Sequence, residues 1–465
     1  MLVAFGMIGT SLSGVTFVSV PGTVGDFAEN GYKGFAYFQV IIGYFIGYFV
    51  IAFILLPLYY RMQLTSIYNY LQSRFGRIAY RTGALFFIIS RTVGATARLY
   101  LVINVLHFFI LKQLGIPFVL TTFVILLMIL LYTFEGGVKT IVYTDTLQTT
   151  FMLLGLVVCI IYIMKHLDLT LGGALHTLES KGYTRIFNTD IRSKGFFVKQ
   201  IIGGMFIAIA MTGLDQEMMQ KNISVKRLWD SQKNVLSFSV VMVTVSFLFL
   251  LLGGLLYLYA LDNGAKYISV EGTHLLMSAS GNMLGDNLFP SLALRFMPQA
   301  ISIIFIIGLI SALFPSADGA LTALTSSFCI DLLDLRNQAG MDERQRKRRR
   351  MTVHISFAVL FLCCIMVFKW IDNNSIIAII LDLAGYTYGP LLGLFSFGIF
   401  TKRVLPDSWK ITAICLLAPV CCYFISHHAA AWFGGFQIGI ELLVINGILT
   451  FLGLWAISKN QSSAN

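Results

Sequence analysis

The stretch Gly9-Thr10-Ser11-Leu12-Ser13-Gly14 interrupts an apolar segment near the start of the chain. A second stretch, Ala210-Met211-Thr212-Gly213-Leu214-Asp215, interrupts the fifth apolar segment after it. Unwinding a helix in lipid leaves backbone groups without partners, which is tolerated only where an ion, a solute or water satisfies them. Interruptions at matching places in two five-helix halves are typical of inverted-repeat transporters with a site near the membrane midplane. On spacing alone the alternative is close helix packing, as expected for Gly43-x-x-x-Gly47.

The composition indicates an integral membrane protein. Of the 465 residues, 57% are hydrophobic and only 12% are charged, and the mean hydropathy is +0.80. Because a soluble domain carries roughly 25% charged residues, disordered chains and cytosolic enzymes are disfavoured. The seven cysteines all lie in apolar stretches and are expected to be small buried residues, with neither a disulfide framework nor metal-ligand spacing.

The chain contains enough apolar segments for a polytopic bundle. A spanning helix needs about 20 mainly apolar residues, and on that template we count about twelve candidates. They are numbered span 1 to span 12 and lie near residues 2–20, 35–60, 79–111, 117–133, 138–165, 198–215, 233–261, 299–333, 351–370, 375–400, 408–426 and 436–457. The connections 166–197 and 262–298 are expected to carry short surface helices, and the segment 65–74 an amphipathic interfacial helix.

The positive charges predict the orientation in the membrane. The chain has 33 Lys and Arg against 22 Asp and Glu, a net charge of +11. Basic residues gather in cytoplasmic loops, so this excess favours a topology signal over nucleic-acid binding. The basic run within 336–350 and the loop 61–81 are therefore expected to be cytoplasmic, in a multi-pass protein of the plasma (inner) membrane.

Five ionisable residues lie at membrane depth. They are Asp145, Asp318, Asp382, Arg91 and Arg98. A charge within a spanning helix costs several kcal/mol unless it is paired, so each is a functional hypothesis by default. The two arginines are seven residues apart and face the same way. The alternative is a set of buried ion pairs that fix the helix register, for example Arg98 with Asp382.

Span 8 carries the clearest candidate for a cation site. Pro315 has no N–H, so the carbonyl of Ser311 one turn back loses its helical hydrogen bond and is free to bind an ion. The alternative is that Pro315 only kinks the helix. Ala312 and Ser316 are four residues apart and share one helix face, with Asp318 nearby. Carbonyl, hydroxyl and carboxylate oxygens suit a hard cation, and an oxygen cage of low net charge suits Na⁺.

Motifs of other chemistries are not found in the sequence. It contains no Walker loop, no GxSxG elbow and no H-E-x-x-H motif. ATP-driven transport and intramembrane proteolysis therefore have no motif to support them. We expect no enzymatic activity and no organic cofactor.

Four motifs in a fixed order give the chain a family resemblance. They are Gly9–Phe17 followed by Val20-Pro21-Gly22, Glu135–Thr149, Asp215–Lys221 and Ser311–Asp331. Together they resemble the sodium:solute symporter family, which includes sodium/glucose, sodium/proline and sodium/sialic acid cotransporters. The resemblance implies an all-α leucine-transporter-type fold of five plus five inverted helices and two C-terminal helices. It would form one domain, with repeats at about 1–165 and 197–400 and the final helices at about 405–460.

The resemblance also implies sodium ligands. In the main sodium site the carbonyls of Gly9, Leu12 and Ala312 and the hydroxyl of Ser316 would bind the ion. The family usually has two adjacent hydroxyl residues in span 8, whereas the first is Pro315 here. Some members hold a second sodium with the span 5 aspartate and further span 8 hydroxyls. Here these positions are Asp145, Asp318 and Gly319, and the two carboxylates could bind Na⁺ or share a proton.

Substrate residues follow from the resemblance with less precision. Three residues of span 1 match family positions that contact solute: Ser11, Ser13 and Thr16. Four more are placed only by their position in a helix: Gln39, Arg98 (or Arg91), Thr212 and Asp382. An inward-facing Arg suits a carboxylate-bearing solute such as a sialic acid, because guanidinium binds carboxylate with two hydrogen bonds. If Asp382 neutralises the Arg, the site suits a neutral sugar or polyol.

The expected function is sodium-coupled import of a small polar organic solute by alternating access. The alternatives are a membrane sensor that binds solute without transport, or a passive channel. The expected partners are one or two Na⁺ ions, the solute and the lipid bilayer, with no nucleic acid, and the expected state is a monomer. Family members usually have a further helix before span 1, so two alternatives stay open: a fragment or misassigned start, or a complete chain in which the inner half of span 1 is too short.

Overall fold

The computed structural model describes residues 7–9, 11–25, 34–62, 66–135, 138–270, 273–277, 285–335, 341–371 and 376–460. Nearly all of this part of the chain is helical, which confirms the predicted fold class. The helices of spans 1 to 12 are, in order, Gly14–Gly22, Phe38–Met62, Arg77–Leu114, Phe118–Glu135, Val138–His166, Phe197–Gly213 with Gln216–Ile223, Leu228–Asp262, Gln299–Leu332, Glu343–Ile371, Ile376–Thr387 with Gly389–Phe400, Lys410–Trp432 and Leu442–Ile457. All twelve predicted spans thus contain helix.

Not all of these helices are long and apolar enough to cross a membrane. Among the described residues, seven are long and apolar enough to cross a membrane, or nine if each bent pair counts as one span. The helices of spans 1 and 12 have 9 and 16 residues, and the apolar helix of span 4 is counted over Phe118–Thr133. Three of the predicted spans therefore lack a single apolar helix of at least 18 residues in the described part of the chain.

The connections contain short elements. Leu171–Ser180 and Leu288–Arg295 are the expected surface helices, and Asn69–Phe75 is the helix expected within 65–74. The connection 262–298 also contains an antiparallel hairpin of Lys266–Val270 and Thr273–Met277, where only helices were predicted. Its β-branched and aromatic residues favour strand over helix, which explains the error.

Both predicted interruptions are present. In span 1, Leu12 and Ser13 are not helical, and Ser13 is extended with φ −86° and ψ 178°. In span 6, the chain bends by 68° between Gly213 and Gln216. The carbonyls freed there are satisfied by the protein, because the Tyr59 hydroxyl donates to Gly213 O at 2.9 Å and the Tyr68 hydroxyl to Leu214 O at 2.9 Å.

A third interruption was not predicted. Span 10 bends by 46° at Tyr388, between its two helices. Pro390 lies in the first turn of the second helix, where a missing N–H does no harm. The sequence Gly389-Pro390 was the available signal for this break.

Spans 2 and 6 pack backbone against backbone. A Cβ atom on Gly43 would lie 2.8 Å from the Met205 nitrogen and 2.9 Å from the Gly204 Cα. A Cβ atom on Gly204 would lie 2.5 Å from the Val40 carbonyl oxygen. Gly43 therefore serves close packing, as expected for small residues between membrane helices.

We expect Gly43→Ala to destabilise the protein by about 3 kcal/mol, at the upper end of overpacking effects, because the opposing atoms are backbone and cannot rotate away. Thermal unfolding in detergent measures the effect. Gly94→Ala in span 3 is the matched control, since a Cβ there would meet no atom of another segment within 4 Å. Equal stability of the two variants would contradict the packing argument.

Candidate functional site

A cavity lies between the interruptions of spans 1 and 6. Spans 2, 3, 7 and 10 complete its wall. Five of the seven predicted substrate residues line it: Ser11, Ser13, Thr16, Arg98 and Thr212. The Ser11 hydroxyl is buried and has no hydrogen-bond partner among the described residues. Such a group needs a partner from outside the chain.

The other two predicted substrate residues lie elsewhere. Gln39 is fully buried, donates to the Ala36 carbonyl at 2.9 Å and accepts from the Asn188 N–H at 3.3 Å, so it holds the connection 166–197 against span 2. Asp382 is on the exposed face of span 10, near Tyr386, whereas its neighbour Leu381 lines the cavity.

Three tyrosines of the cavity wall were missed by the sequence analysis. Tyr37, Tyr44 and Tyr48 come from span 2 and its N-terminal turn. They are spaced seven and four residues apart, so they lie on one helix face. This spacing was the signal that could have identified them.

The two arginines of span 3 both line the cavity but have different surroundings. The Arg91 guanidinium pairs with Glu217, and its Nη1 lies 3.5 Å from Asp215 Oδ2. Arg98 has no carboxylate within 4 Å among the residues that the structure describes. The expected Arg98–Asp382 pair is not among these ion pairs. Arg98 therefore presents its charge to the cavity.

The predicted ligands of the main sodium site lie close to the interruption of span 1. A Cβ atom on Gly9 would lie 3.3 Å from the Asp145 carbonyl oxygen and 3.7 Å from the Pro315 Cβ, so Gly9 packs between spans 5 and 8. The Ser316 hydroxyl donates to the Ala312 carbonyl at 3.3 Å. Leu12 is buried at the interruption itself. These oxygen groups are of the type that Na⁺ binds.

Beside this site is a buried set of charged side chains, called the charge cluster below. It consists of Arg91, Asp145, Asp215, Glu217, Asp318 and Lys221. The Lys221 ammonium lies 3.0 Å from Glu217 Oε1 and 3.5 Å from Asp145 Oδ2. Asp318 Oδ1 accepts from the Gly319 N–H at 2.5 Å, and its Oδ2 has no hydrogen-bond partner in the described part of the chain. Arg91 joins span 3 to this set.

Glu217 and Lys221 belong to the motif Asp215–Lys221, but neither was among the predicted site residues. The helix Gln216–Ile223 carries both into the protein after the bend of span 6, and the Lys221 side chain is only 13% exposed. The i, i+4 spacing of Glu217 and Lys221 was the available signal.

One more buried carboxylate, that of Asp286, lies outside the spans. Asp286 Oδ2 accepts the Ile376 N–H at 2.8 Å and so connects the loop before span 8 to the start of span 10. Burial raises the pKa of Asp286 to about 6.

A helical bundle with interrupted spans around a polar cavity is the architecture of a secondary transporter. The model of the "Sodium:solute symporter family" matches residues 1–407. The sodium/sialic acid symporter SiaT of Proteus mirabilis is 23% identical over 97% of this chain and 87% of its own length. The sodium/sialic acid symporter NanT of Aliivibrio fischeri is 22% identical over 96% and 84%.

Solved structures show the same fold. The substrate-bound, outward-open state of a Na⁺-coupled sialic acid symporter superposes with a TM-score of 0.77 at 20% identity, covering 98% of this chain and 90% of the other. A nucleobase-cation-symport-1 family transporter in a closed conformation gives a TM-score of 0.58 at 13% identity, covering 98% and 91%. The chain belongs to the sodium:solute symporter family. It is a sodium-driven symporter for small polar solutes and not an enzyme.

Proposed function

We propose that this symporter imports a solute that carries a carboxylate, with a sialic acid as the first candidate. The observation that carries the proposal is the Arg98 guanidinium, which faces the cavity without a carboxylate of the described chain within 4 Å. Burying a charge without a partner is unfavourable, so an anionic solute is the natural counterion. The names of SiaT and NanT, both sodium/sialic acid symporters, point to the same class.

The hydroxyl groups around Arg98 suit the rest of such a solute. Ser11, Ser13, Thr16 and Thr212 line the cavity and offer donors and acceptors to a polyhydroxylated molecule. A neutral sugar would need Arg98 to be neutralised by the chain, and Asp382, the expected partner, lies on the exposed face of span 10. We therefore leave Gln39 and Asp382 out of the proposed solute site.

A sodium ion would hold the span 1 part of this solute site in place. We propose that Na⁺ binds the carbonyls of Gly9, Leu12 and Ala312 and the Ser316 hydroxyl. Leu12 lies between Ser11 and Ser13, so an ion that fixes the span 1 interruption also positions two solute-binding hydroxyls. Na⁺ and solute then favour the same conformation, which couples their binding through one alternating-access equilibrium.

The membrane orientation and the assembly are further parts of the proposal. The 61–81 and 336–350 loops are proposed to be cytoplasmic in the plasma (inner) membrane, and the protein to act as a monomer. Within 336–350, the described start of the span 9 helix is exposed and basic, as the orientation rule requires.

Uptake by proteoliposomes tests the proposal. Radiolabelled sialic acid is offered with an inward Na⁺ gradient or with choline in its place, beside a neutral sugar and a polyol. We expect Na⁺-dependent accumulation of the sialic acid and none of the uncharged solutes. Accumulation that does not depend on Na⁺, or that favours a neutral sugar, would contradict the proposed function.

We expect Ser316→Ala to raise the Na⁺ concentration for half-maximal uptake by about tenfold, because it removes one ion ligand. At saturating Na⁺ the affinity for solute should be nearly unchanged. Ser302→Ala is the control, since Ser302 is in the same helix and also donates to a backbone carbonyl, that of Ala293 at 2.7 Å. An unaltered Na⁺ dependence in Ser316→Ala would remove this hydroxyl from the cage.

A further inference from the structure

The position expected for a second sodium ion already contains a positive charge of the chain itself. The Lys221 ammonium lies 3.5 Å from Asp145 Oδ2 and 3.0 Å from Glu217 Oε1. Asp318 is within electrostatic reach of the same ammonium. A single cation thus faces the carboxylates of spans 5, 6 and 8, which is the arrangement a bound ion would otherwise provide.

The space for further ligands from span 8 is occupied as well. Position 319, where a hydroxyl would have to point at an ion, is glycine. A Cβ atom there would lie 2.6 Å from the Glu217 Cδ and 2.8 Å from its Oε2. Glu217 is held in this place by Arg91 and Lys221. Glu217 therefore fills the volume that a ligand side chain at residue 319 would need.

Electrostatics decides between Lys221 and a second Na⁺. An ion bound by Asp145 would share its carboxylate with the Lys221 ammonium, which lies 3.5 Å from Oδ2. Two cations about 4 Å apart repel each other enough to weaken binding by about a thousandfold. The two cations therefore compete for one set of carboxylates. Lys221 is covalently attached and is mostly buried, so it prevails at any practical Na⁺ concentration.

We propose that Lys221 replaces a second sodium ion, so that the protein binds and transports one Na⁺ per cycle. This inference rests on the proposed function, because it presumes that Na⁺ occupies the main site at Gly9 and Ser316. The tethered cation keeps spans 3, 5, 6 and 8 electrostatically connected without being released. With a monoanionic solute, one transported Na⁺ makes the cycle electroneutral.

Binding of radiolabelled Na⁺ to the purified full-length protein in detergent tests the stoichiometry. We expect one ion per chain for the wild type. Lys221→Met removes the competing charge and should raise the count to two, since Asp145 and Asp318 are then open to a second ion. Lys221→Arg keeps the charge and should bind one ion.

The outcomes separate this inference from the proposed function. Two ions in the wild type, or one ion in a folded Lys221→Met protein, would overturn the inference alone. No bound Na⁺ in any variant would overturn both. If Lys221→Met does not fold, the wild-type count decides, together with sialic acid accumulation at zero membrane potential. A tenfold Na⁺ gradient should then sustain about tenfold accumulation for one ion, and about a hundredfold for two.

Discussion

Replacing Arg98 by Met is expected to lower the affinity for a carboxylate-bearing solute by about a hundredfold or more. Loss of one partner from a buried charge pair costs roughly 2 to 5 kcal/mol. In this cavity Arg98 has no carboxylate of the described chain to satisfy it, so its interaction is available to the solute. Calorimetric titration of the purified protein with sialic acid, and Na⁺-driven uptake in proteoliposomes, measure the loss.

Two further variants define the role of Arg98. Arg98→Lys keeps the charge but not the planar pair of donors, so its affinity should be intermediate. Arg344→Met changes an exposed arginine far from the cavity and should bind solute like the wild type. Undiminished sialic acid uptake by Arg98→Met would mean that the carboxylate binds elsewhere, and it would refute the proposed solute class.

The three interruptions were not equally predictable, because the residues at each one differ to different degrees from the apolar sequence around them. Glycine and serine within the apolar span 1 give a strong contrast, and the interruption at Leu12 and Ser13 follows it. Span 6 ends in a polar run, and its bend is at that run. The bend of span 10 at Tyr388 is marked only by a Gly-Pro pair, which is equally typical of the start of an ordinary helix.

The sequence predicted which charged residues lie at membrane depth, but not which of them form ion pairs. Spacing alone gave Arg91 and Arg98 the same face and made both candidates for the same role. Their partners depend on the 68° bend of span 6, which turns Glu217 and Lys221 back into the bundle. No local pattern specifies that bend angle, so nothing in the sequence indicated that Glu217 and Lys221 would face Arg91 and Asp145.

The tyrosines of the cavity wall were difficult to identify because the chain contains many aromatic residues. The chain contains 39 Phe and 20 Tyr, most of which are compatible with lipid contact or core packing. Tyr37, Tyr44 and Tyr48 differ from these only in facing the cavity. Serine and threonine are conspicuous in apolar spans, so Ser11, Ser13, Thr16 and Thr212 could be selected from residue type, whereas the tyrosines were marked only by their spacing along one helix face.

Arg91, seven residues before Arg98 on the same helix face, is expected to act on folding more than on solute binding. Its guanidinium pairs with Glu217 and lies 3.5 Å from Asp215, and both carboxylates are buried. Breaking a buried pair by removing one partner costs about 3 to 5 kcal/mol, because the remaining charge stays out of water. We therefore expect Arg91→Met to lower thermal stability in detergent strongly and to reduce the yield of monodisperse protein.

Arg98→Met is the matched control for this prediction, since it removes the same side chain from the same helix without breaking an ion pair of the described residues. Its thermal stability without solute should equal or exceed that of the wild type, because an unpaired buried charge is removed. In Arg91→Met, the added change Glu217→Gln should recover part of the stability, because one of the two unpaired charges is then neutral. Asp215 caps the helix Gln216–Ile223 by accepting from the Met218 N–H at 3.0 Å, and the remaining loss reflects its own buried charge, which is still without Arg91. If Arg91→Met and Arg98→Met were equally stable, the charge cluster would contribute nothing to holding the two halves of span 6 against span 3.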